Sequence, residues 1–334
     1  MIVLSDAASR NLLYPFTATR HVGEIRIGIF TIREKWEKLT GQEVKLVSEP
    51  VPNAIPANLI PNKQNVDQIL NGDYSGADRL DRPWQIWQLN DRSLRADFVW
   101  LSETQNSAPI PAHVTAVHSD YILIEPGAKI GANTVLNAET GPIYIAAGAE
   151  IMEGCLVRGP MALCEHAVLK MGTKIYGATT LGPKSVGGGE IKNSVFLGYS
   201  NKGHEGYLGD SVLGEWCNLG AGTSNSNLKN TGGDVRYKLR EFENETSGSK
   251  GGLLMGDYSR SAINTSFTTG TVVGVCCSIH QPNPEKFIPD FSWGNDRYAF
   301  PKILKDIKNW KKLKGAELSE DEIIILEKLY QKTL

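Results

Sequence analysis

Seven aliphatic residues stand six apart in the middle of the chain: Ile145, Ile151, Val157, Leu163, Leu169, Ile175 and Leu181. Four residues after each comes Ala149, Cys155, Met161, Ala167, Thr173, Thr179 or Ser185, all small except Met161. An α-helix cannot keep a period of six on one face, and glycines interrupt the run too often for one continuous strand. One large and one small inward residue in every six predicts a hexapeptide β-helix, in which each hexad is a short strand and a corner. The beat begins at Ile124 and Ile130 and resumes at Ile191 and Leu197, then at Leu213 and Leu219. It closes with Met255, Ser261, Phe267, Val273 and Ile279. Two stretches break it, 199–212 and 225–252, and the hexad at 181–190 reads as lengthened to ten residues.

The flanks follow other periods. MIVLS and VKLVSEP read as short strands, and GEIRIGIFTIREKWEKLTG ends in helical spacing with a glycine stop. RPWQIWQLNDRSLRADF (82–98) predicts an amphipathic helix whose tryptophans pack into a core. The Pro-punctuated SETQNSAPIPAH (102–113) marks a boundary. After residue 280 the beat is expected to stop, and PKILKDIKNWKKLKGAELSEDEIIILEKLYQKTL predicts one or two helices with SEDE as a cap. The lysines of that tail are expected to be solvated. Three units follow: 1–105, a small α/β domain; 106–282, the β-helix; and 283–334, a crossing segment and helices.

Composition removes some functions. With 334 residues, 41% hydrophobic and 22% charged, the chain is of ordinary globular type. A net charge of −2 gives no electrostatic case for nucleic acid or an anionic membrane. No apolar run approaches the roughly 20 residues of a membrane span. The opening MIVLSDAASRNLLYPF lacks a basic region, so a cytoplasmic location is expected. The five cysteines (155, 164, 217, 276 and 277) match no C-x-x-C pattern and read as reduced, buried thiols. His113 and His118 have H-x4-H spacing, but no third histidine falls in phase, so no metal is expected.

Counting hexads gives a candidate site. Lys170 follows the inward Leu169 and Lys192 follows the inward Ile191, so the count sets both on one face, one coil apart. Stacked ammonium groups suit a phosphate between them, or they simply splay into solvent. Glu190 adjoins Lys192, and His204 follows in the first break. A carboxylate beside an imidazole would fix its tautomer and raise its basicity, as a general base requires. A lone loop histidine is as readily a bystander.

KNSVFLGYSNKGHEGYLGDSVLGEWCNLGAGTSNSN (192–227) carries Lys192, Gly203-His204, Tyr207-Leu-Gly-Asp210, Asn218-Leu-Gly-Ala-Gly-Thr223 and Asn227 in order and without a gap. This run resembles the acetyltransferase half of the bacterial bifunctional glucosamine-1-phosphate acetyltransferase and N-acetylglucosamine-1-phosphate uridylyltransferase. The resemblance implies a left-handed parallel β-helix, acetyl-CoA as co-substrate, an amino-sugar phosphate as acceptor and a homotrimer with sites between prisms. It implies His204 as general base, Glu190 polarising it, and Lys192 with Lys170 on the sugar phosphate. Tyr207, Asn218 and Asn227 would contact the sugar, and the Ala221 N–H would face the thioester oxyanion. LYPFTATRHVGEIRIGIFTIREKWE, RPWQIWQLND and KFIPDFSWG resemble a shorter, sugar nucleotidyltransferase-like branch with a truncated N-terminal domain. That branch departs from the bifunctional enzyme in lacking its glycine-rich phosphate loop, and magnesium would matter only if residues 1–105 were active. Nucleotidyl transfer and a non-catalytic sugar-nucleotide-binding module are the alternatives to acetyl transfer.

Overall fold

The computed structural model describes residues 1–239 and 245–333. Its centre is a parallel β-solenoid whose three faces are sheets of ten, nine and six strands, with parallel neighbours throughout except the last pair of the ten-stranded sheet, Ser292–Trp293 and Asp296–Arg297, which is antiparallel. The aliphatic beat points inward: Ile145, Ile151, Leu163, Leu169 and Leu181 are fully buried and form one continuous core. Successive coils are one strand spacing, about 4.8 Å, apart. The fold class read from the hexads is therefore borne out.

The nine-stranded face is covered. Its outward residues Leu123, Tyr144, Ala162, Val195, Val212, Leu254 and Val272 are apolar and buried, and Thr180 between Ala162 and Val195 is the buried polar member of the column. The N-terminal residues pack on them. That region has a three-stranded parallel sheet with Ile2–Ser5 between Val44–Val47 and Ile55–Pro56. Helix α1 (Ile32–Thr40) begins in a capping box of Thr31 and Glu34 and ends at Gly41, whose φ of 67° lets the chain turn away. Helices α2 (Val66–Leu70), α3 (Gln85–Gln88) and α4 (Asn90–Thr104) follow. The expected helix at 82–98 is thus α3 and α4, with Trp84 and Trp87 buried as core residues. Asn90 is the polar weld: its Nδ2 donates to Ala178 O at 3.0 Å and to Thr180 Oγ1 at 3.1 Å.

The ten-stranded face partly faces the C-terminal helices α5 (Phe300–Leu313) and α6 (Glu320–Lys332), and α6 starts in the capping box of Ser319 and Glu322. The tail lysines are not all solvated. Lys311 is buried, pairs with Glu322 at 2.5 Å and lies 5.0 Å from the Trp216 ring centroid. Lys314 donates to Asn201 Oδ1 at 2.8 Å. Among the described residues the six-stranded face has no such cover.

Three expectations about the repeat change. Strands do not stop at residue 280, because Phe287–Ile288 and Ser292–Trp293 still pair with the solenoid. Residues 199–212 are not an excursion: Asn201–Lys202, Tyr207–Gly209 and Val212–Glu215 are regular strands, and the inward position is Lys202 instead of an aliphatic residue. Residues 181–190 are not one long hexad either. Gly187 takes an inward position, paired with Leu169 below and Lys202 above, and the turn to Ile191 is short. The stretch 226–252 does leave the repeat. Its strands Val235–Tyr237 and Glu245–Gly248 pair antiparallel, and residues 240–244 lie outside the described residues. Tyr237 stacks on Trp84 at 5.2 Å and Arg82 pairs with Glu245, so this arm clasps the N-terminal region.

Candidate functional site

The open face is built from three strands in register. Lys174, Glu190 and Tyr207 align in one outward column, and Tyr176, Lys192 and Gly209 in the next. Alternation along each strand turns Ile175, Ile191 and Leu208 into the core and leaves these polar residues outside. The Tyr176 hydroxyl donates to Glu190 Oε1 at 2.5 Å, which pushes the phenol up to about 12. The Lys192 ammonium lies 5.5 Å from the centre of the Tyr176 ring. Gly209 is bare for a reason: a Cβ there would overlap the Tyr207 hydroxyl. That hydroxyl accepts from Asn227 Nδ2 at 3.1 Å. Asp210 ties the patch together, accepting from Asn227 at 2.5 Å and from Asn193 at 2.7 Å. Burial, then the nearby carboxylates, holds the Tyr207 phenol well above its ordinary range, so it is a neutral donor.

His204 stands on the ridge where the ten-stranded face turns into the open face. It is exposed, in the bend between Asn201–Lys202 and Tyr207–Gly209, and its ring makes no hydrogen bond among the described residues. The pairing of Asn201 with Asn218 sets Gly203 against Gly220 and His204 against Ala221 in the next coil. Gly222 N donates to Glu205 O at 3.0 Å and locks the two corners together. The Ala221 N–H is accepted by no group among the described residues, so it is a free donor at the corner aligned with His204.

The expected residues do not all meet as the hexad count had them. Lys192, Glu190, Tyr207 and Asn227 share the open face. His204 and Ala221 share the ridge. Lys170 is a correction: it follows Leu169 on the ten-stranded face and lies in line with Gly188, not beneath Lys192. The residue paired with Lys192 in the coil below is Tyr176, and the lysine paired with Glu190 is Lys174. The Glu190 carboxylate accepts from Tyr176 and makes no hydrogen bond to His204 among the described residues. Asn218 lies on the ten-stranded face, its side chain 3.5 Å from that of Asn201, across the ridge from Tyr207 and Asn227. Sequence reading missed Lys174, Tyr176, Asp210 and Lys202. The three glycines 187–189 were the available sign that a short turn had shifted the count.

Among the described residues no three of His, Cys, Asp and Glu gather as a metal site. All five cysteines are free and buried, and burial pushes the Cys217 thiol up to about 12. A cavity of about 380 Å³ lies elsewhere, between Arg20 and Arg26 of the N-terminal region, Tyr199 and Glu215 of the solenoid and Glu322 of α6. Its charges serve one another: Arg20 pairs with Glu215 at 3.0 Å and with Asp257, and Tyr258 donates to Glu322 at 2.8 Å. That network joins the three parts of the chain. At the end of strand Ile2–Ser5, buried Asp6 accepts from Arg10 at 3.0 Å and from Val22 N at 3.1 Å, folding the following residues onto the strand end.

The topology defines a hexapeptide-repeat solenoid with an attached α/β region. A sugar nucleotidyl transferase family model matches residues 2–75. The Bifunctional protein GlmU of Methanocaldococcus jannaschii is 36% identical over 90 residues, 27% of this chain and 22% of that protein. GlmU of Methanococcus aeolicus is 30% identical over 152 residues, 44% of this chain and 35% of that protein. GlmU of Synechococcus elongatus is 26% identical over 247 residues, 67% of this chain and 50% of that protein. The resemblance read from the motifs is thus borne out by partial matches, which span half or less of these relatives' lengths. Among solved structures, a hexapeptide transferase family protein from Anaplasma phagocytophilum matches 66% of this chain and 95% of its own at 12% identity, with a TM-score of 0.22.

Proposed function

We propose that the chain is an acetyl-CoA-dependent N-acyltransferase acting on an amino-sugar phosphate such as glucosamine-1-phosphate. The observation that carries this reading is the ridge: among the described residues, an exposed imidazole without a hydrogen-bond partner and an unclaimed backbone N–H share one corner in successive coils, and the adjoining face carries Lys192, Tyr207 and Asn227. Partial likeness to proteins named bifunctional GlmU supports it.

In this reading Lys192 and Lys174 hold the sugar phosphate on the open face, and Tyr207 and Asn227 hold sugar hydroxyls. His204 takes a proton from the amine as its nitrogen attacks the thioester carbon. The Ala221 N–H donates to the oxyanion that forms. When the tetrahedral species collapses the carbon–sulfur bond breaks, the amide remains and the coenzyme leaves as thiolate, to be protonated. Glu190 acts through Tyr176 on the face, not on the imidazole. Because acceptor groups lie on both sides of a convex ridge, a second copy would be needed to wall the site, which favours the homotrimer. The matched model over residues 2–75 favours a second reading, sugar-1-phosphate nucleotidyl transfer with magnesium. Asp6 and its partners fill the end of the central strand, which weighs against it.

Thiol release from acetyl-CoA with glucosamine-1-phosphate and other amino-sugar phosphates tests the proposal. Acceptor-dependent thiol is expected. Silence with every acceptor would leave a ligand-binding module.

A further inference from the structure

One inward position of the solenoid is held by a lysine. Along that face the inward residues include Ile130, Ile151, Leu169 and Leu219, all core aliphatics. Lys202 takes the same kind of position and is 2% exposed. It forms no ion pair among the described residues. Its ammonium donates to two backbone carbonyls, Gly188 O at 3.1 Å and His204 O at 2.6 Å. An ammonium buried without a carboxylate is costly, and a leucine there would fit the repeat.

The corner explains why a donor is needed. In three other coils, those of Ile130, Leu169 and Ser261, the residue four after the inward one is a threonine whose hydroxyl satisfies the corner carbonyl. Thr134 donates to Gly131 O at 2.8 Å, Thr173 to Lys170 O at 2.5 Å and Thr265 to Ala262 O at 2.9 Å. In the coil of Lys202 that residue is Gly206, whose φ is 124° and whose added Cβ would overlap Thr223 O. In the coil below, the turn from Gly187 to Ile191 is too short to carry one. Two consecutive corners therefore lack their hydroxyl, and one ammonium reaches both: it takes Gly188 O, the carbonyl a threonine would take, and in its own coil it takes His204 O, one residue beyond the equivalent Gly203 O. Gly187, directly beneath Lys202, has no side chain to compete for that layer.

We propose that Lys202 is a positioning residue that fixes the His204 corner from inside the prism, anchoring its carbonyl and tying it to the corner below. The catalytic part rests on the reading of His204 as general base. The imidazole makes no hydrogen bond of its own among the described residues, so its position depends on the backbone that carries it. An anchor on that residue's own carbonyl is the most direct control available to the core.

The test uses the full chain with Lys202→Met, which keeps length and removes the donor, and Lys202→Gln, which keeps a shorter donor. Backbone hydrogen exchange at residues 203–206 is expected to quicken by about tenfold or more in Lys202→Met, and by less in Lys202→Gln. A control, Ile151→Val, should lower the melting temperature without changing exchange at 203–206. In turnover, kcat of Lys202→Met should fall by about tenfold or more while both KM values stay within about threefold. Unchanged exchange at 203–206 would overturn the anchoring role, whatever the activity. Faster exchange with unchanged kcat would overturn its link to catalysis. A wild type without turnover would remove the acyltransferase reading alone, because the exchange measurement still decides whether Lys202 anchors the corner.

Discussion

The covered and open faces of the solenoid share one interior and differ only in what points outward. On the covered face the outward column is Leu123, Tyr144, Ala162, Thr180, Val195, Val212, Leu254 and Val272, apolar but for the threonine that bonds Asn90, and it is buried under the N-terminal region. On the open face the corresponding residues run Leu156, Lys174, Glu190 and Tyr207. The inward repeat builds the prism, and the outward alternate builds the purpose of each face. An apolar column makes a permanent joint, while a polar column whose members are tied by Tyr176, Asp210 and Asn227 leaves a surface that can take a solute. His204 stands at the edge of the open face, as far as the prism allows from the joint.

Truncating one leucine on each face is the sharpest way to break that comparison. Leu254→Ala removes a fully buried side chain from the joint and is expected to cost about 2–5 kcal/mol in chemical denaturation. Leu156→Ala, at a position 50% exposed, should cost about 0.5 kcal/mol or less in the monomer. Equal costs would show that the open face is covered too, and a change of oligomeric state in Leu156→Ala would show by what.

The interior itself is not uniform. Burial pushes the Lys202 ammonium down from its ordinary 10.5 to about 8. Between those values the unfolded chain binds the proton and the folded chain releases it, so stability rises with pH across that window. Below about pH 8 holding the charge inside costs the fold about 3 kcal/mol. Wild type should therefore gain on Lys202→Met as pH rises from 8 towards 10 in paired denaturation curves. A difference that stays flat across that range would mean the ammonium is better solvated than its burial implies.

A smaller effect separates two lysines. Lys174 shares the open face with Glu190, and Lys170 lies in line with Gly188 at the ridge. Lys174→Ala is expected to raise KM for the sugar phosphate by about tenfold, and Lys170→Ala by about twofold or less. The reverse order would restore the count made from hexads alone.

That count shows what was legible. Large aliphatic residues at every sixth position gave the solenoid from Ile145 to Leu181, because a core layer accepts little else. The run from Lys192 to Asn227 gave the residues of the site by resemblance, and Lys192, Glu190, Tyr207 and Asn227 do share a face. The register across 181–202 was lost because Gly187 and Lys202 hold inward positions without being hydrophobic. One slipped position moved Lys170 to the wrong face and made a regular coil look like an excursion. The joint with the N-terminal region was invisible for a different reason: outward apolar residues on a strand look the same as inward ones until the partner is present.

The measurement that bears most directly on the ridge is thiol release from acetyl-CoA with glucosamine-1-phosphate, comparing wild type with His204→Ala at equal folded concentration. A fall in kcat of about 10²–10⁴, with the melting temperature unchanged, is the expected result for a general base on an exposed corner. A variant that turns over at the wild-type rate would contradict the account, since the exposed imidazole is the group on which the chemistry of the ridge depends.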